Sequence, residues 1–187
     1  MAIEEPSYTV IEKSGNFELR ANGPMIVAET QVSGPMGDAS SAGFRLIADY
    51  IFGNNTSRAG GNEKISMTAP VTMEPKSEKI NMTAPVSMEQ TGDQWRVHFV
   101  MPSQYTLDTL PKPNNPAVRL REVPASNYAV IRFSGLVGEK KRAAKTEELM
   151  TWLDSKGITP IGQPELARYN PPWTLPFLRR NEVMVAY

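Results

Sequence analysis

The feature that most restricts this chain is a tandem copy near its middle. Lys64-Ile65-Ser66-Met67-Thr68-Ala69-Pro70-Val71-Thr72-Met73-Glu74 returns fifteen residues later as Lys79-Ile80-Asn81-Met82-Thr83-Ala84-Pro85-Val86-Ser87-Met88-Glu89. Each copy is a short run of β-branched and apolar residues broken by one proline, which predicts an extended segment. A proline lacks the N–H that a central ladder position must donate, so Pro70 and Pro85 belong at a strand end, an edge or a bulge. Two copies do not make a solenoid, which stacks about three units or more. A chain of 187 residues has the size of one domain, with room for one copy in its core register. The other is then a lengthened loop or an added hairpin. Residues 79–89 are expected in the sheet because they lead directly into the strand at 95–101.

Around this centre the pattern is mostly of period two. Residues 7–11 and 16–20 alternate about Ser14-Gly15, predicting a hairpin. A third strand follows over 25–32, with Ile26, Ala28, Thr30 and Val32 on one face and Glu29 and Gln31 on the other. Phe44, Ile47, Ala48 and Ile51 fall at i, i+3, i+4 and i+7, the stripe of a helix with Asp38 as N-cap and Gly53-Asn54-Asn55 as its stop. Residues 56–63 read as loop. The strand at 95–101 sets Trp95, Val97, Phe99 and Met101 against Arg96, His98 and Val100, and the proline-rich 102–116 reads as a surface crossover. Strands over 117–123 and 127–134 precede a helix over 139–156. Its stripe is Thr146, Leu149, Met150 and Leu153, and its solvated face Lys140, Lys141, Arg142, Lys145, Glu147 and Glu148. Strands over 165–169 and 182–187 flank a proline-stiffened loop. Both halves thus run strands, helix, strands. This predicts an α+β fold over a single domain, 1–187: a curved antiparallel sheet or distorted barrel with one helix on each half.

Several chemistries are excluded by composition. Twenty basic and twenty acidic residues cancel with no long basic block, so neither nucleic acid nor an anionic membrane is suggested as a partner by net charge. The chain has no cysteine and one histidine, which removes thiolate sites and multi-histidine metal sites. His98 is the one imidazole available as an iron ligand, although a solvent-facing strand histidine is the commoner situation. Methionine thioethers in the duplicated stretch are further candidates, with packing the commoner role. No glycine-rich nucleotide fingerprint is present. No apolar run reaches the ~18 residues of a membrane helix, and the first residues lack a signal-peptide pattern. As given, the chain reads as cytoplasmic, or periplasmic if a signal peptide has been removed.

The motifs Glu5-Pro6-x-Tyr8-x-Val10, Phe17-Glu18-Leu19-Arg20, Tyr50-Ile51-Phe52-Gly53-Asn54-Asn55, Lys64-Ile65-x-Met67-Thr68-Ala69-Pro70-Val71, Phe99-Val100-Met101-Pro102, Tyr169-Asn170-Pro171-Pro172-Trp173 and Arg179-Arg180-Asn181-Glu182-Val183 occur in this order. Together they resemble the SOUL heme-binding protein family nearly end to end, with the tandem copy resembling its bacterial-type members. The resemblance implies a distorted antiparallel β-barrel of two pseudo-symmetric halves, each with one helix. It also implies binding of heme or another tetrapyrrole in a shallow apolar groove between the first helix and the loop before the last strand. Carried onto this sequence, the helix would contribute Phe44, Ile47, Ala48 and Ile51, and the loop Tyr169, Trp173 and Phe177. Arg45 or Arg179 would meet the propionates through charge-assisted hydrogen bonds.

The expected function is therefore a non-catalytic, monomeric porphyrin buffer or carrier. A second expectation comes from the resemblance of the same barrel to gyrase-inhibitor-like ligand-binding domains, some of which are hydrolases. A closed pocket holding a buried glutamate beside aromatic rings would favour it. A third is a protein-interaction domain working through the proline-rich loops, marked by a large exposed apolar patch.

Overall fold

The computed structural model describes residues 4–75, 94–170 and 173–187. Its strands are β1 (Tyr8–Ser14), β2 (Phe17–Asn22), β3 (Met25–Ser33), β4 (Asn55–Thr56), β5 (Val71–Pro75), β6 (Gln94–Val100), β7 (Lys112–Pro113), β8 (Arg119–Val123), β9 (Ser126–Phe133), β10 (Glu165–Arg168) and β11 (Asn181–Ala186). The helices are α1 (Met36–Ile51) and α2 (Glu139–Ser155), with a single 3₁₀ turn at Pro176–Leu178. Nine strands form one antiparallel sheet in the order β1-β2-β9-β11-β10-β5-β6-β3-β8, curled into a half-barrel, and β4 pairs with β7 separately. The fold is α+β.

The strand order contains the pseudo-symmetry expected from the sequence. Reading outward from the β5–β10 contact, β6, β3 and β8 on one side mirror β11, β9 and β2 on the other. β2 and β8 are exchanged, each hydrogen-bonded to the half it does not belong to in sequence. That exchange ties the halves into one core, which a chain with two separate sheets would lack.

Side-chain alternation divides the sheet into a helix-bearing face and a concave face. Val97 and Phe99 of β6, Ala28 of β3, Ile131 of β9 and Val183 and Val185 of β11 join Ile47, Ile51, Leu149 and Leu153 of the helices in the main core. α1 lies very close to β6: a Cβ added at Gly43 would sit 2.6 Å from the Val97 side chain. The opposite face carries Arg20, Thr72, His98, Arg121, Tyr128 and Glu165.

Four expectations are corrected. The first copy of the duplicated stretch, through Val71–Pro75, holds the central position between β10 and β6, with Pro70 just before it where its missing N–H is harmless. The second copy lies outside the described residues. α1 begins at Met36 with Pro35 before it, so Asp38 is in the first turn rather than at the cap; Met36 N–H instead donates to Glu139 Oε1 of α2 at 3.2 Å. On α2, Lys141, Arg142 and Lys145 are half-buried. The Arg142 guanidinium lies 5.1 Å from the Trp95 ring centre, so its stem and charge both serve packing. Finally His98 is buried, 8% exposed, because the concave face is itself enclosed by the curl of the sheet.

Candidate functional site

The outer surface of α1 near its N-terminal half, the turn after β9 and the segment between β10 and β11 converge on one cleft of about 790 Å³, within the ~300–1,000 Å³ range of small-molecule sites. α1 supplies Ser40, Ser41, Phe44 and Arg45, one helical face displaced from the buried stripe. Phe44 packs on Phe99 beneath it, ring centres 5.5 Å apart, yet keeps 38% of its surface exposed. Met67 and Val71 from the first copy of the duplicated stretch, Leu136 and Trp173 also line the cleft.

Hydrogen bonds fix its rim. Arg168 projects from β10 on the helix face, where Nη1 donates to Ser40 Oγ and Nη2 to the Val137 carbonyl, both at 3.3 Å. Gly135, at φ +100°, donates its N–H to the Pro176 carbonyl at 2.9 Å, and Asn181 Nδ2 donates to the Gly135 carbonyl at 3.0 Å. The two loops are thereby joined. Arg179 Nε donates to the Thr174 carbonyl at 2.8 Å. Burial and the neighbouring charge of Arg179 push the Arg168 pKa down. Among the described lining residues are three arginines, Arg45, Arg168 and Arg179, and no carboxylate. An apolar cleft with that rim suits a flat ligand bearing carboxylates.

Of the residues expected from the sequence, Phe44, Arg45, Tyr169, Trp173 and Arg179 meet in this cleft. Ile47, Ala48 and Ile51 do not: they are buried against the sheet, because a helical stripe regular enough to be seen in sequence is the stripe that packs the core. Phe177 is 69% exposed on the neighbouring 3₁₀ turn and lines no part of the cleft. Arg168 and Met67 were not singled out for this groove. The two charged ends of a short strand around buried Leu166 and Ala167 were the available signal for the first.

The concave face holds a second, narrower space of about 150 Å³ lined by Tyr8, Asn22, Arg96, His98, Tyr128 and Glu165 among others. It adjoins a wider space of about 760 Å³ that shares Glu5, Pro6, Met25, Val100 and Val123. His98 Nε2 and Glu165 Oε2 are 4.0 Å apart. Burial, reinforced by the charges of Arg96 and Arg121, pushes the imidazole down to about 3. Burial pushes the Glu165 carboxyl up to about 7 against the opposing pull of the same arginines. The two therefore face each other as neutral groups rather than as an ion pair over the range between. Asn22 Oδ1 and His98 Nδ1 are buried without a hydrogen-bond partner among the described residues.

At one end of this face lies a charge network. Arg20 donates to Glu182 through Nη1 at 2.8 Å and Nη2 at 3.0 Å, and through Nε to Glu18 at 2.8 Å. Glu182 also accepts from Tyr169 Oη at 2.7 Å and Arg180 Nε at 2.9 Å. Burial alone would raise the Glu182 pKa, but the hydrogen bonds and charge of Arg20, with Arg180, hold it below the usual range. The network orients Tyr169, whose ring lies 3.8 Å from the Arg180 guanidinium carbon. Tyr169 lines both concavities.

His98 lies on the opposite face of the sheet from the α1 cleft, so it is not positioned to ligate iron there. Among the described residues no group of three or more His, Asp or Glu side chains is arranged to hold a metal ion. Within the cleft, the Met67 thioether is the soft donor on the wall. The lining thus fits a macrocycle held by apolar and ionic contacts, with no imidazole for its metal.

The family model for the SOUL heme-binding protein matches residues 3–186. Among solved structures, the C-terminal domain of EcmrR superposes with a TM-score of 0.63 at 13% identity, covering 96% of each chain. A hydrolase from Listeria innocua gives a TM-score of 0.59 at 10% identity, covering 94% of this chain and 93% of that one. At such identities these two likenesses establish the shared fold. No curated protein sequence matches.

Proposed function

The chain belongs to the SOUL heme-binding protein family, and from that premise we propose that it binds heme or a related porphyrin in the α1 cleft as a non-catalytic buffer or carrier. The observation that carries this reading is the lining itself: exposed Phe44, Leu136 and Trp173 beside three arginines and no carboxylate among the described lining residues. Apolar burial at ~25 cal/mol per Å² supplies the attraction, and the arginines pair with the propionates. Heme supplies its iron and its absorbance when bound. The chain contributes the apolar walls, the cationic rim and partial exclusion of water. Without an imidazole ligand, iron-free and iron-bearing porphyrins should bind alike, in the micromolar range after the ordering costs of association.

Titration with hemin and with protoporphyrin, followed by Soret absorbance and tryptophan quenching, tests the proposal. Saturable binding of both, weakened in Trp173→Ala and in Arg179→Ala, is the expected result. No saturable change up to tens of micromolar would sink it.

One observation favours a second reading, a small-molecule sensor or hydrolase working through the concave face. Glu165, half-buried, lies there beside Tyr128 and Tyr169, close to the arrangement that marks that class. Under this reading Glu165→Gln abolishes small-molecule binding or turnover and leaves porphyrin binding untouched. Under the leading reading it affects stability alone.

A further inference from the structure

Five large apolar side chains project from the two loops at the mouth of the α1 cleft. Leu136 is 63% exposed, Trp173 83%, Leu175 55%, Phe177 69% and Leu178 62%. The Gly135–Pro176 hydrogen bond holds their loops together, so they form one protrusion. Among the described residues, only Val10, Ile11 and Ile161 of the exposed large apolar side chains lie away from this corner of the molecule. Leaving so much apolar surface in water in one place costs solubility and calls for an occupant.

The arrangement discriminates between occupants. Side chains each more than half exposed on nearly consecutive residues of a turn stand out singly. They offer little of the flat or concave packing surface that a protein partner requires at its core. A bilayer interface accommodates projections of this kind without shape complementarity, and it favours tryptophan above other residues. Charge agrees: residues 134–137 and 173–181 contain no carboxylate, and Arg179 lies within the second loop, while Arg180 beside it is already paired with Glu182 and Glu5. Lys141 Nζ reaches the first, donating to the Ser134 carbonyl at 2.8 Å.

We propose that this protrusion is a docking site for an anionic lipid surface, with Trp173, Leu175, Phe177 and Leu178 entering the headgroup region and the adjacent cations facing lipid phosphates. The docked protein lies on the membrane surface; no helix among the described residues is long and apolar enough to cross a membrane. Docking brings the cleft mouth to the bilayer surface. In combination with the porphyrin reading, on which this last step rests, the ligand then passes between cleft and bilayer without crossing bulk water.

Flotation with vesicles of phosphatidylcholine alone and with about 30 mol% phosphatidylglycerol tests the docking directly. The intact protein should float with the anionic vesicles, with a blue shift of tryptophan emission, and lose most binding in high salt. Phe177→Asp/Leu178→Asp changes two residues that line no part of the cleft. It should bind vesicles about tenfold more weakly or worse, while retaining its circular dichroism and its porphyrin titration in solution. Leu175→Asp, at another exposed residue that lines no part of the cleft, should show the same loss if the double variant folds poorly. Failure of the intact protein to float, equal flotation of the variants, or a dimer by light scattering that the variants dissolve would overturn the proposal. Vesicle binding without porphyrin binding would leave it standing and remove the function proposed for the cleft.

Discussion

Glu165→Gln isolates the energetic cost of the concave face. An unfolded glutamate releases its proton near 4.5, and the folded Glu165 near 7. Between those values the native state holds the extra proton, so stability falls as pH rises and the full cost is present above about 7. At ~1.4 kcal/mol per pH unit the interval corresponds to ~3 kcal/mol. His98 acts in the opposite sense. Its folded value near 3 against 6.5 when free means that stability is lost as pH falls from 6.5 towards 3. The two slopes oppose each other between 4.5 and 6.5 and leave wild-type stability nearly flat there. The variant removes one slope. Urea unfolding of both proteins at pH 5 and pH 8 should show Glu165→Gln gaining about 2–3 kcal/mol relative to wild type between the two. A difference that does not change with pH, or a wild type that gains stability from pH 5 to 8, would refute the reasoning. Either result would mean that Glu165 is already ionised in the native state at pH 5.

Three further outcomes follow from the geometry. Gly43→Val puts atoms within 2.6–3.0 Å of Val97 and should cost at least ~1–3 kcal/mol by calorimetry; an unchanged midpoint would show that α1 can move away from β6. Glu182→Ala strips Arg20, Arg180 and Tyr169 of a shared partner and should cost ~3–5 kcal/mol in chemical unfolding, whereas a loss near zero would show that water replaces the carboxylate. His98→Ala should leave the hemin absorption spectrum unchanged, since His98 is on the far face of the sheet; a shift in the Soret band would put the iron beside it.

The sequence showed the fold more clearly than the site, for a physical reason that particular residues illustrate. Alternation at 95–101 and the stripe Ile47, Ala48, Ile51 record burial, and burial is what a periodic pattern encodes. The resemblance sets the same stripe on the ligand wall with Phe44, but the structure turns it to the sheet, and Phe44 alone of the four lines the cleft. Asp38 looked like a cap because its side chain suits one, but capping of α1 depends on Glu139, more than a hundred residues away. His98 was expected in solvent, since strand alternation identifies the two faces of β6 without telling that the second is enclosed by the curl of the sheet. Which copy of the duplicated stretch enters the sheet was not decidable from two nearly identical runs. Pairing with β10 places the first copy there, and that is a tertiary contact.

The central claim is that porphyrin occupies the cleft beside α1 and not the concave face. Amide chemical-shift mapping during titration with iron-free protoporphyrin tests it most directly. The account predicts perturbations concentrated at residues 40–45, 135–137 and 168–181, with Thr72, His98 and Arg121 unmoved. Perturbations centred on Thr72, His98, Arg121 and Tyr128 would contradict it.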